Sequence, residues 1–453
     1  MKSSKKNLTL AQKDYAVYLP AMGKAYMSAT LSNRRYTKQM KSAEDLDFYK
    51  PNGLFEYKWT LYSAGHATLD LSRNLKSEGM IHNRDRANTF LLADSGGFQI
   101  GKGRWKGKWN DPKCPIAEKK RNQLLPWLCH VADYSMILDI PSWTHIDPVV
   151  AEKVGIHNFK DAISGTLFNN DYFIMNKEKG AKFMNVLQGN TYEEVRYWYD
   201  QVKDYDFDGW AFGGQVARDL RIMLEIFVKL KFDGLLEKGE RDWVHVLGVS
   251  RIHWGIALTK IQRVLRETHN SNLTISLDSA SPFLSIINAG MYTNILTKDR
   301  ARWNLVTERA FDDKSYLSDT RNMAELYDNF LRNPVSDSLA INDVCVQNIP
   351  DRVSTWDSQT YALLSAQNVW QQINAIQEGN RQTDKGFYSK YLINDRFDKI
   401  TFSDIVEQIF SAGTREKALG IVERHARFLT SIPVGMQTKI SPKVQFEKMF
   451  SFN

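Results

Sequence analysis

The chain has 453 residues, enough for one large domain with an extension or for two to three average domains, and a barrel plus an extension fits within it. Hydrophobic residues make up 43% and charged residues 25%, which excludes disordered and fibrous classes. Lys and Arg total 60 against 52 Asp and Glu, a formal charge of +8 that suits either an anionic partner or a merely basic protein, so the location of the cations has to decide.

Residues 1–10 carry Lys2, Lys5 and Lys6 with no apolar run behind them, and no later stretch reaches the roughly 18 apolar residues of a bilayer span, which predicts a cytoplasmic protein. Short β-rich runs then recur: Tyr15–Leu19, Lys58–Ser63, Thr89–Ala93, Tyr134–Leu138, Lys182–Leu187, Gly209–Phe212, Trp243–Leu247 and Leu273–Leu277. Helical periodicity lies between them, as in Thr191–Val202 and Arg218–Leu230. About eight strands alternating with helices predict an α/β fold, a (β/α)8 TIM barrel over residues 1–310, with a doubly wound open sheet as the alternative. Beyond residue 310 the pattern turns helical, at Tyr361–Gln377, Phe402–Phe410 and Arg415–Thr430, which predicts a mostly helical region over 311–453 with Glu378–Lys385 as an exposed connection. Cys114, Cys129 and Cys345 are widely spaced, so neither a disulfide framework nor a zinc site is predicted.

In such a barrel the chemistry sits where strands end. The residues there are Asp94-Ser95-Gly96-Gly97-Phe98-Gln99, then Asp139, Gln188-Gly189, Gly213-Gly214, Leu247-Gly248 and Asp278. Carboxylates, amides and paired glycines converging on one mouth suit a flat polar ring: Asp accepts from ring N–H groups, Gln meets a carbonyl, Gly admits backbone amides and Phe98 offers a stacking face. Each residue taken singly has a structural reading, an Asp that caps the next helix or a Gly pair that turns the chain. His66, His145 and His245 lie near strands without metal-ligand spacing and read as hydrogen-bonded structural histidines.

Residues 94–99, Asp-Ser-Gly-Gly-Phe-Gln, carry the hallmark of the tRNA-guanine transglycosylase family, which the sequence resembles from about residue 14 to 290. Leu138-Asp139, Leu187-Gln188-Gly189, Phe212-Gly213-Gly214, Leu247-Gly248-Val249 and Leu277-Asp278 follow in family order. The resemblance implies Asp278 as the nucleophile on the sugar, Asp94 as the general acid and base, and Ser95, Phe98, Gln99, Asp139, Gln188, Gly213, Gly214 and Leu247 as the base-binding edge. It implies a free 7-deazaguanine-type base as co-substrate and no organic cofactor. The family's Cys-x-Cys-x-x-Cys and His zinc ligands, and the proline-threonine-arginine segment after the nucleophile, are missing; the chain reads Ser279-Ala280-Ser281-Pro282-Phe283 there. The likeness is therefore greater to the DpdA-like phage and bacterial branch that places 7-deazaguanines in DNA, which makes DNA the expected partner, tRNA the alternative, and the host cytoplasm the location of a phage-encoded copy. No zinc site is expected.

Following the hallmark, Gly101-Lys102-Gly103-Arg104-Trp105-Lys106-Gly107-Lys108-Trp109 interleaves four cations with two tryptophans. Lys102, Arg104, Lys106 and Lys108 are expected to grip phosphates and Trp105 and Trp109 to stack on bases, or, alternatively, the loop is solvated with its tryptophans packed inward. Two weaker basic clusters span 34–38 and 298–302. The rival functional readings are a non-catalytic nucleic-acid-binding paralogue and a nucleoside hydrolase.

Overall fold

The computed structural model of the chain describes residues 6–33, 35–73, 75–310, 314–344, 358–395 and 399–434; Cys345 and Arg34 lie outside them. Eight parallel strands close into a barrel in chain order: β1 (Val17–Met22), β2 (Trp59–Ser63), β3 (Phe90–Asp94), β4 (Tyr134–Met136), β5 (Phe183–Leu187), β6 (Gly209–Phe212), β7 (Trp243–Val246) and β8 (Thr274–Ser279). Each expected β-rich run coincides with one strand. The open sheet is excluded by closure of β8 onto β1, with Leu19 opposite Asp278.

The crossover helices start where the sequence supplies caps. Thr191 accepts the backbone N–H of Glu194 before the helix Tyr192–Val202, and Asp219 accepts those of Arg221 and Ile222 before Leu220–Phe232. Each buries an apolar stripe, Val195, Trp198 and Val202 on the first and Met223, Phe227 and Leu230 on the second.

Three features depart from the sequence reading. Residues 290–309 form an antiparallel hairpin, β9 (Gly290–Asp299) with β10 (Arg302–Arg309), directly after the nucleophile-candidate strand. The expected exposed connection at Glu378–Lys385 is instead the last stretch of one long helix, Ser358–Asp384. That helix packs between Ile252–Thr268 and Lys24–Thr30, closing the ring around the barrel, so residues beyond 310 complete the barrel's own helical layer and share its hydrophobic core.

The physical reason is close helix packing at reciprocal glycines. A Cβ on Gly255 would stand 2.5 Å from Ile376, and one on Gly379 would collide with Ile252. Buried polar side chains of the same helix tie it to the barrel's backbone: Asn368 donates to the carbonyls of Pro282 and Gly290 at 3.0 Å each, and Gln372 to that of Ser250 at 2.7 Å.

Strand periodicity arranges the barrel interior in layers, because residues two apart face the same side. Phe90, Leu92 and Asp94 point inward on β3, Trp243 and His245 on β7, and Ser276 and Asp278 on β8. The rings of Phe90 and Trp243 stack across the base with centroids 4.1 Å apart and planes at 8°, and Tyr134 lies against Trp243 at 5.6 Å. Asp94 lies four residues along the strand from Phe90, about 13 Å higher. An aromatic floor therefore lies under a polar mouth.

Candidate functional site

Asp278 ends on the barrel axis side of β8, 8% exposed. The backbone N–H of Gly248 donates to its Oδ1 at 2.7 Å, and Nε2 of His245 lies 3.2 Å from the same oxygen. Gly248 makes this possible by its positive φ of 69°, which turns the chain after β7 so that its amide faces β8. Among the described residues, Oδ2 of Asp278 makes no hydrogen bond.

Asp94 ends β3, and strand register sets its partner: Ser63 on β2 lies opposite and donates its hydroxyl to Oδ2 at 2.5 Å. The amide of Gly96 donates to Oδ1 at 3.2 Å. Burial pushes the Asp94 carboxyl above its ordinary range, the Ser63 and Gly96 bonds oppose the shift, and the negative charge of Asp278 adds to it. Asp139 is raised too, to about 7, by burial first and then by the charge of Asp94. The amide of Gln188 donates to Asp139 Oδ2, and the backbone N–H of Ser142 donates to Gln188 Oε1 at 3.4 Å, which orients that amide. Three carboxylates from three strand ends thus share one electrostatic neighbourhood.

The glycines act chiefly between loops. A Cβ on Gly97 would stand 2.5 Å from the Asp139 carbonyl, and one on Gly214, at φ 55°, would collide with the Gly189 carbonyl. Gly213 is less crowded, with the Gln188 side chain 3.4 Å from the place of a Cβ. The β3 loop is thereby drawn onto the β4 loop, and the β6 loop onto the β5 loop, which holds Asp139 and Gln188 in place.

The remaining expected base-binding residues divide. Phe98 is half-buried at the rim, its ring 5.8 Å from that of Trp143, and the Lys102 ammonium lies 5.7 Å from the first ring and 5.6 Å from the second. Leu247 is half-buried beside Gly248, with its amide donating to the Phe212 carbonyl at 2.9 Å. Gln99 is buried against Gly65 of the β2 loop. Ser95 is fully buried, and its hydroxyl donates to the Ile137 carbonyl at 2.8 Å. Its hydroxyl thereby fastens the end of β3 to the end of β4.

The basic loop also divides. Trp109 is fully buried, its indole N–H donating to the Trp105 carbonyl at 3.1 Å and its ring 6.0 Å from the Arg121 guanidinium. It anchors the loop and cannot stack on a base, so the alternative of an inward tryptophan holds at this position. Trp105 is half-buried, its ring lying over Gly96, where a Cβ would stand 2.7 Å away, with the Lys120 ammonium 4.8 Å from the ring. Arg104, Lys106 and Lys108 are exposed, and Lys108 pairs with Glu152 at 3.0 Å.

Sequence reasoning missed Ser63 and undervalued His245. Strand pairing could have found Ser63, since it ends β2 one register step beside Asp94. His245 lies two residues before Leu247 on the inward face of β7, a position that alternation alone directs toward the site. A cavity of about 1230 Å³ opens beneath the aromatic floor, lined in part by Trp59, Phe90, Tyr134 and Trp243, and includes none of Asp94, Asp139 or Asp278. Barrel chemistry belongs to the opposite end, and size does not outweigh that. Among the described residues no group of three or more His, Cys, Asp or Glu side chains is arranged to hold a metal ion, and no helix is long and apolar enough to cross a membrane. No protein-family model and no curated protein matches the sequence.

Proposed function

We propose that the chain is a glycosyltransferase that exchanges guanine in DNA for a 7-deazaguanine base, such as 7-cyano-7-deazaguanine, through a covalent bond between the sugar and Asp278. The observation that carries the reading is the meeting of Asp94 and Asp278 at one barrel mouth in unlike surroundings, one raised by burial and by the other's charge, the other with the Gly248 N–H and the His245 ring nitrogen both on a single oxygen. Such divergence is what a nucleophile and a proton donor require.

In the first half-reaction Oδ2 of Asp278 attacks C1′, the C1′–N9 bond breaks, its electron pair goes to the purine and Asp94 supplies the proton to the departing base. In the second, the incoming base loses its ring N–H proton to Asp94, bonds to C1′ and expels Asp278. Two inversions give retention, and no electrons are gained or lost, so the exchange calls for no redox cofactor. Asp139 and Gln188 present an acceptor and a donor to the edge of the base, and Phe98 its face. The target guanine has to leave the stack, at a cost of a few kcal/mol. Lys102, Arg104 and Lys106 beside the mouth are the cations for the phosphates.

The test is incubation of the pure chain with radiolabelled guanine and duplex DNA, single-stranded DNA or tRNA. Label is expected in DNA and absent with Asp278→Ala. Uptake into tRNA alone would move the substrate to tRNA, and free base released without uptake would replace exchange by hydrolysis.

A further inference from the structure

We infer that His245 is a positioning residue for the nucleophile, locked in one tautomer by a hydrogen-bond chain that runs from Trp243 on the barrel floor through Ser276 to Asp278. The inference rests on Asp278 acting as the nucleophile.

The direction of the chain follows from its two end groups. The indole of Trp243 can only donate, and it donates to Ser276 Oγ at 2.8 Å. Ser276 Oγ lies 2.8 Å from Nδ1 of His245. At the other end a nucleophilic Asp278 carboxylate can only accept, so Nε2 has to carry the imidazole proton; in the neutral ring Nδ1 then holds a lone pair, and Ser276, which already accepts the indole proton, donates its own to it. The imidazole proton then sits on Nε2, aimed at Asp278 Oδ1 at 3.2 Å. Strand pairing puts His245 opposite Ser276, so the barrel register builds the chain.

One consequence follows for the nucleophile. The His245 and Gly248 N–H groups both fall on Oδ1, which fixes the carboxylate plane and leaves Oδ2 as the attacking atom. His245 itself is fully buried, out of reach of substrate, and acts only through Asp278.

The experiment combines ¹⁵N-histidine NMR of the full chain with exchange kinetics. The His245 signal, assigned by its loss in His245→Gln, is expected in the neutral Nε2–H form at pH 7 and to change tautomer balance in Ser276→Ala. A signal showing Nδ1–H, or a doubly protonated ring, overturns the inference whether or not the chain exchanges bases. In kinetics, His245→Leu should lower kcat roughly 10²-fold with little change in KM for the nucleic acid, while His245→Gln, whose amide keeps an N–H near Oδ1, should recover most of the loss. Wild-type kcat in His245→Leu also overturns it. If the wild-type chain forms no covalent adduct with any nucleic acid, the exchange reading fails by itself, and the NMR result still decides the hydrogen-bond chain.

Discussion

Replacing Asp139 by asparagine tests the electrostatics of the mouth without any assumption about substrate. The folded protein raises this carboxyl from an ordinary 3.8 to about 7, through burial and the neighbouring Asp94 charge. A carboxyl moved from 3.8 to about 7 links at most about 4 kcal/mol to folding, at about 1.4 kcal/mol per tenfold change in proton affinity. The folded state holds the proton more tightly than the unfolded state, so the group's contribution is fully present below pH about 4 and is lost as pH rises through about 7. Between pH 5 and pH 8 wild-type stability should therefore fall, relative to Asp139→Asn, by about 2 to 3 kcal/mol. Urea denaturation of both proteins across that range measures the difference, which includes the reciprocal effect of the Asp139 charge on Asp94. A wild-type-minus-variant difference that stays constant with pH would refute the assigned protonation. The same proton affects recognition: a base offering two N–H groups needs the ionised carboxylate, so its affinity should rise about tenfold per pH unit up to pH about 7 and then level off. Calorimetric titration with guanine reads that directly.

Other outcomes can be read more simply. Trp109→Ala should destabilise the fold by about 3 to 5 kcal/mol, whereas Trp109→Phe should leave DNA affinity unchanged, as gel-shift titration would report. Gly96→Ala forces an L side chain into φ 84° against the Trp105 ring and should cost about 1 to 3 kcal/mol in thermal unfolding, with loss of exchange activity. Alanine at Lys102, Arg104 and Lys106 should weaken DNA binding and flatten its salt dependence by up to about three units of slope, with Lys108 adding less because Glu152 already holds it. Gly379→Ala should lower the urea midpoint, since the closing helix would be lifted off Ile252.

The barrel was legible because each strand is a short apolar run and because a closed parallel sheet repeats that signal eight times. The polar residues after the runs were legible for the same reason, and Asp94, Asp139, Gln188 and Asp278 do stand together. What failed to show was anything decided by packing between distant segments. Ser95 and Trp109 carry the chemistry expected of a binding residue, but a carbonyl 42 positions away occupies the first and the core encloses the second. The closing helix was cut short at Glu378 because polar residues and Gly379 read as a connection; only the facing helix, with Gly255 and Ile252, gives that glycine a purpose. His245 was judged by its lack of metal-ligand spacing, whereas its importance comes from residues on the next strand.

The layered interior bears on which carboxylate can carry a moving proton. The chain beneath Asp278 ends at the Trp243 indole, which cannot accept a proton, and the stacked rings of Phe90 and Trp243 lie across the barrel below it. A proton arriving at Asp278 through His245 would have no source, and one leaving by that route would have no destination. The chain is therefore a fixed support and not a shuttle. Any proton exchanged during a reaction at this mouth has to pass through groups that face upward; Asp94 and Asp139 are both shifted toward holding it, and Asp94 has a hydroxyl from Ser63 and an amide from Gly96 to receive the charge when it leaves. On this arrangement, loss of His245 should alter how fast Asp278 attacks, while loss of Asp94 should alter which leaving groups can depart. Substrates whose leaving group needs no proton should thus restore activity to Asp94→Asn and not to His245→Leu, and rescue of both by the same substrate would contradict the separation of roles.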